Sequence, residues 1–79
     1  MHGNNIQEVI IRIWKELLDL QQVQAEDNFL LLGGESLLAT QASARLRDVF
    51  GLEVPLRSIL VGTVGELAEQ IATILNDKK

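Results

Sequence analysis

Apolar residues recur along most of this chain at three- and four-residue spacing, the period of a helix with one buried face. The first such run spans about Asn5 to Leu20: Ile6, Val9, Ile10, Ile13 and Leu17 form the stripe, and Ile11, Trp14 and Leu18 widen it. Glu8, Arg12, Lys15, Glu16 and Asp19 fill the opposite side. There the pairs Glu8–Arg12, Arg12–Glu16 and Lys15–Asp19 would add about 0.2–0.5 kcal/mol each to a solvated face. A second helix is predicted from Ser36 to about Phe50, on Leu37, Leu38, Gln41, Ala42, Arg45, Leu46, Val49 and Phe50, with Gly51 as the residue that ends it. Proline is favoured at a first helical position, so Pro55 to Leu60 reads as a short helix closed by Gly62. Thr63-Val64-Gly65-Glu66 has the spacing of a capping box, opening a last helix whose apolar face is Val64, Leu67, Ala68, Ile71, Ile74 and Leu75. That helix is expected to reach about Asn76. Nowhere does a useful length of strand-like alternation appear. The expected fold is all-α, with three substantial helices and one short one.

Residues 21–35 interrupt this periodicity. Gln21, Gln22 and Gln24 are polar; Asp27-Asn28 then precedes the apolar quartet Phe29-Leu30-Leu31-Leu32 and Gly33-Gly34. Asp27 is the expected cap of a short turn, and the glycines allow the turn to end at positive φ. A connection of this length inside a small domain is usually functional or separately anchored. Phe29 and Leu32 are the expected anchors.

Composition narrows the classes. With 79 residues the chain is expected to be one domain over 1–79, its core within about 5–76. At this size about 60% of the unfolded surface is buried, which leaves little material to wall off a deep active site. No cysteine is present, which excludes disulfides and thiolate metal sites. No apolar run approaches the roughly 20 residues of a membrane span, and the polar start, Met1 to Asn5, lacks a signal-peptide core. A cytoplasmic monomer without membrane contact is the expectation. Seven Lys and Arg scattered in a chain of net charge −4 do not make the basic cluster that nucleic acid requires.

Catalysis finds few candidate groups. His2 is the single histidine and sits at the extreme N-terminus, so a His-based nucleophile or base has no support. Metal-ligand spacing is absent, and Gly33-Gly34 lacks the lysine of a nucleotide-binding loop. The expectation is a chain that is not an enzyme and has no catalytic or metal-binding residues. What remains is Leu32-Gly33-Gly34-Glu35-Ser36-Leu37, a serine where a loop becomes a helix. Read from spacing, Ser36 is either a helix N-cap or an attachment point. For capping, the matching third helical position is Ala39, which offers no reciprocal partner. For attachment, two upstream glycines leave the serine unshielded, and a phosphate there would meet the positive end of the helix.

The run Asp27-Asn28-Phe29 through Leu32-Gly33-Gly34-Glu35-Ser36-Leu37 resembles the signature of carrier domains in nonribosomal peptide synthetases. The likeness continues through Leu38-Ala39-Thr40-Gln41, Arg45-Leu46-Arg47, Phe50-Gly51, Val54-Pro55-Leu56-Arg57-Ser58, and Thr63-Val64 with Leu67-Ala68, covering roughly residues 5 to 75. The resemblance implies an acyl-carrier-like four-helix bundle. It also implies that Ser36 is the covalent attachment site of 4′-phosphopantetheine, delivered from coenzyme A by a phosphopantetheinyl transferase, with N-capping a compatible second role. An aminoacyl or peptidyl group would be held on the arm as a thioester. Further implied partners are an adenylation enzyme or domain and condensation, tailoring or thioesterase domains.

Leu31, Gly34, Glu35, Leu37, Leu38, Ile59 and Val61 are the candidate partner contacts, with Leu37 favoured over Leu38 to stay exposed. Fatty-acid acyl carriers resemble this fold but have a strongly acidic second helix. Here that helix holds Arg45 and Arg47 against Asp48, a net +1, which favours the peptidyl or aryl side. Three residues or segments depart from the pattern: Leu31 where a polar residue is common, Glu35 before the serine, and a Ser58–Thr63 segment one residue short and without a proline before Thr63. The alternatives are a carrier for polyketide, aryl-acid or D-alanyl transfer, or a non-covalent helical interaction module.

Overall fold

The computed structural model describes residues 3–77, with side chains from 5 to 76. His2 lies outside the described residues. The elements run α1 (Gly3–Leu18), α2 (Ser36–Phe50), α3 (Leu56–Val61) and α4 (Val64–Asp77). α1 packs on α4 and α2, and α2 in turn packs on α3. Among the described residues there is no strand, only an isolated bridge between Asn28 and Thr63.

The core fills the space between the three long helices. α1 contributes Ile6, Ile10, Ile13 and Trp14, and α4 contributes Val64, Leu67, Ala68 and Ile71. Trp14, expected at the edge of its stripe, is among the deepest side chains. The expected stripe on α2 needs correction. Ala39, Ala42 and Leu46 are buried, whereas Gln41 and Val49 are exposed; Leu37 is exposed, as expected. Two alanines and Leu46 make the inner face, while the large side chains of Leu37 and Val49 stay outside.

Helix ends follow local chemistry. α1 stops two residues before the expected Leu20 because Asp19 turns left-handed, at φ 57, and the Leu20 N–H donates to the Lys15 carbonyl at 3.0 Å. This is a Schellman closure built on a residue other than glycine. Gly51 (φ 71) ends α2, its N–H on the Arg47 carbonyl. Pro55 is not the first residue of α3 but its cap, with extended ψ of 143 and its carbonyl accepting from the Ser58 N–H at 3.0 Å.

At the start of α4 all four N–H groups that a helix leaves unpaired are satisfied. The Thr63 N–H donates to Glu66 Oε1 (3.0 Å), and the Glu66 N–H to Thr63 Oγ1 (3.1 Å), the expected capping box. Between them the Val64 and Gly65 N–H groups donate to the carbonyls of Asp27 and Ala25, at 3.0 and 2.9 Å. The loop before α2 is thus stitched to the head of α4. Thr63→Ala removes one side of the box and is expected to cost about 1 kcal/mol. That corresponds to a melting temperature lowered by roughly 4–8 °C in a domain of this size, checked by thermal unfolding. An unchanged melting temperature would mean the box adds nothing to the loop contacts.

Candidate functional site

Ser36 sits where the loop stitched to α4 runs into α2. The loop is shaped by Asn28 rather than Asp27, correcting the expected cap. Asn28 Oδ1 accepts from the Leu31 N–H (3.1 Å), while the Asp27 carboxylate reaches back to the Gln24 N–H (2.8 Å). A tight turn follows: the Leu32 N–H lies on the Asn28 carbonyl (3.0 Å), Gly33 on Leu30 (3.1 Å) and Gly34 on Phe29 (3.0 Å). Gly33 takes φ 108, a value that disfavours any side chain.

Phe29 pins this turn to the core. Its ring is fully buried and meets Trp14 edge-on, centroids 4.8 Å apart at 66°. Gly34 lies against the same ring, and a Cβ placed there would overlap it and approach the Phe29 carbonyl oxygen to 2.8 Å. Gly34 is therefore small because Phe29 lies against it, not to unshield the serine. Being buried, it is corrected as a partner contact. Leu32, the second expected anchor, is only partly buried against the core.

Glu35, in extended conformation (φ −126, ψ 179), occupies the N-cap position and makes no side-chain cap bond; Ser36 is the first residue of α2. The capping role expected of Ser36 is therefore corrected: its own φ and ψ are already helical, so its hydroxyl is past the position from which a cap reaches forward. Ser36 is exposed, and among the described residues its hydroxyl is committed to no hydrogen bond. Its carbonyl accepts from Thr40 Oγ1 at 3.0 Å. The ladder of α2 begins with the Ala39 N–H on the Glu35 carbonyl (2.7 Å), so the N–H groups of Ser36, Leu37 and Leu38 precede it. The head of α4 is closed by its own box and loop; the head of α2 is open.

The remaining candidates divide by burial. Leu31 is 86% exposed, and Leu37 and Val61 are each 70% exposed. Glu35 is exposed, and Leu38 is half-buried against the core. Ile59 is corrected: it is 1% exposed and belongs to the core, because a six-residue helix turns only one such side chain inward. A single turn of sequence holds Ile59, Leu60 and Val61, and periodicity cannot say which of them that is. The arginines of α2 are not free charges: Arg45 pairs with Glu16 of α1, and Arg47 with Glu53 at 3.2 Å. Glu16 thus reaches across to α2 instead of along its own helix to Arg12. The outer face below Ser36, with Leu37, Thr40, Gln41 and Ala44, carries no charge over its first turns and then meets the exposed Arg47 and Asp48.

The family model described as a phosphopantetheine attachment site matches residues 8–71. One chain of the linear gramicidin synthase of Brevibacillus parabrevis is 44% identical over 72 residues, covering 90% of this chain and 1% of that protein. The chain therefore spans a very small part of the curated relatives it matches. Among solved structures, a chain in the complex of the phosphopantetheine transferase Sfp with coenzyme A and a peptidyl carrier protein superposes with a TM-score of 0.81. It is 28% identical, over 86% of this chain and 90% of that one. The A-PCP didomain of carboxylic acid reductase from Segniliparus rugosus, in complex with AMP, gives 0.82 at 30% identity, over 86% of this chain and 10% of that one.

Proposed function

The chain belongs to the family of phosphopantetheine attachment domains, and from that premise we propose that it carries aminoacyl or peptidyl groups in nonribosomal peptide biosynthesis, with Ser36 Oγ as the attachment atom. The observation that carries the assignment is an exposed, uncommitted serine hydroxyl at the head of the fifteen-residue α2, whose first N–H groups no side chain caps. The residues fit the group: a phosphodiester on Ser36 would lie beside the free N–H groups of Leu37 and Leu38, at the positive end of α2. Gly34 and Phe29 hold the loop against the core, so the serine is presented from a fixed base. When bound, the arm supplies a terminal thiol for a thioester; the protein performs no bond chemistry of its own in this reading.

The partners follow from that role. A phosphopantetheinyl transferase would modify Ser36, an adenylation enzyme or domain would load the arm, and condensation, tailoring or thioesterase domains would take the group onward. Each must let go after its step, so the contacts should be small. Leu31, Leu37 and Val61 are the apolar contacts this reading assigns, with Glu35 at their edge. The absence of charge on Leu37, Thr40 and Gln41 next to Ser36, with Arg45 and Arg47 paired to Glu16 and Glu53, favours docking by shape over long-range steering. We place the carrier unit within residues 1–79, with its core in 5–76, acting as a monomer in the cytoplasm. Among the described residues no helix is long and apolar enough to cross a membrane. The likeness to the carboxylic acid reductase didomain favours a second reading, a carrier for another acid, which shares the attachment and differs in the acid loaded.

Incubation with coenzyme A, Mg²⁺ and a phosphopantetheinyl transferase is expected to raise the intact mass by one phosphopantetheine, located by peptide mass spectrometry on Ser36. No gain under conditions that modify a control carrier, or a gain at another residue, overturns the assignment.

A further inference from the structure

The carboxamide of Asn28 is used at both ends by backbone from two distant parts of the chain. Its Nδ2 donates toward the carbonyls of Leu60, Val61 and Gly62, at 3.2, 2.9 and 3.0 Å. Its Oδ1 accepts from the Leu31 N–H at 3.1 Å. α3 has six residues, and helix geometry leaves its last carbonyls without partners. Gly62 is extended (φ −95, ψ 179), so the usual left-handed closure is absent there. Asn28 supplies the missing donors from 32 to 34 residues away.

The residues whose backbones it grips bear two of the most exposed large apolar side chains in the protein, Leu31 and Val61. Their backbones can be no farther apart than one amide group and two hydrogen bonds. An exposed turn and a single-turn helix would otherwise be among the first parts to open locally. A contact surface already ordered before an encounter spares the cost of ordering it during one.

We infer that Asn28 is a positioning residue, which locks Leu31 and Val61 into one preassembled apolar docking face beside Ser36, and that the face receives the enzyme that modifies this serine. The inference rests on the carrier reading above. Leu31 precedes Ser36 by five residues in the turn that Phe29 and Gly34 fix, so the face and the attachment point share one rigid base. Asn28 touches no reacting atom. Its effect belongs in the capture of the carrier, not in the transfer itself.

The test is steady-state kinetics of a phosphopantetheinyl transferase with coenzyme A saturating and the carrier varied. Asn28→Ala is expected to raise the KM for the carrier about tenfold with kcat within about twofold, a loss of binding alone. Amide hydrogen exchange at Leu31 should accelerate while exchange in the α1 core does not. Asn28→Asp keeps an acceptor for Leu31 and loses the donors to α3; its Leu31 amide should stay slow while its KM still rises. Should Asn28→Ala fail to fold, the surface variants Leu31→Ala and Val61→Ala carry the test, each expected to raise KM by about threefold or more at unchanged melting temperature. An unchanged KM in folded Asn28→Ala, or a fall confined to kcat, overturns the inference, as does an unchanged KM in both surface variants. Failure of the carrier reading itself is distinguishable, since the unaltered chain would then gain no mass.

Discussion

Ser36→Ala abolishes covalent loading completely while leaving the fold as it is. The second half of that expectation is as informative as the first. Ser36 is exposed, its hydroxyl is committed to no hydrogen bond among the described residues, and it stands at the first position of α2, past the cap. Stability should therefore hold to within about 0.5 kcal/mol. No neighbouring hydroxyl is placed to take over. Thr40 Oγ1 is bonded to the Ser36 carbonyl, and Ser43 Oγ to the Val54 carbonyl at 3.1 Å. Intact mass spectrometry with transferase, coenzyme A and Mg²⁺ gives the loading result, and thermal unfolding of the same sample gives the stability result. Retained mass gain would remove Ser36 from the site; a large loss of stability would show that the serine supports the fold as well.

The second large effect lies at Phe29 and Gly34. Phe29→Ala empties a fully buried position against Trp14 and is expected to cost about 3–5 kcal/mol. A domain of this length has about 4–12 kcal/mol in total, so this variant should lose a large part of its stability, and loading should fall as far as it unfolds. Gly34→Ala does the opposite to the same contact. Its methyl would press into a ring that Trp14 prevents from retreating, costing about 1–3 kcal/mol by overpacking. Because the ring is the main obstacle to that methyl, the two changes together should cost less than their sum, by about 0.5 kcal/mol or more. Urea unfolding of both single variants and the double variant measures the coupling. Strict additivity would mean that Gly34 is constrained by something other than Phe29.

Much of this was legible in the sequence, for reasons that are local. Gly51 ends α2 through a left-handed turn, and Thr63 with Glu66 opens α4 through bonds three residues apart. Both are properties of a few consecutive residues. The stripe of α1 was readable because a sixteen-residue helix repeats its period often enough to fix a face. α3 has barely more than one turn, so nothing in its pattern could choose Ile59 for the core over Val61. On α2 two of the three buried side chains are the alanines Ala39 and Ala42, and a pattern weighted by large apolar residues takes in Val49, which is exposed. Ser36 is the first residue of α2 as expected, and only its capping role was misread, because Glu35 holds the cap position. Whether a serine stands at the cap or just after it depends on the backbone of Glu35, which composition does not encode. Gly34 and Asn28 were present in the recognised run, yet their reasons lie across space. Gly34 answers to a ring five residues back, and Asn28 to carbonyls more than thirty residues ahead.

The stitching of the loop to the head of α4 has a consequence for synthesis of the chain. A ribosome releases residues in order, so Ser36 and its loop emerge before Leu60, Val61, Val64 and Gly65, whose backbone groups hold that loop. Until those later residues are made, the serine is chemically present, but its loop lacks its partners in α3 and α4. The last third of the chain thus sets the moment at which a growing polypeptide becomes a competent substrate for modification.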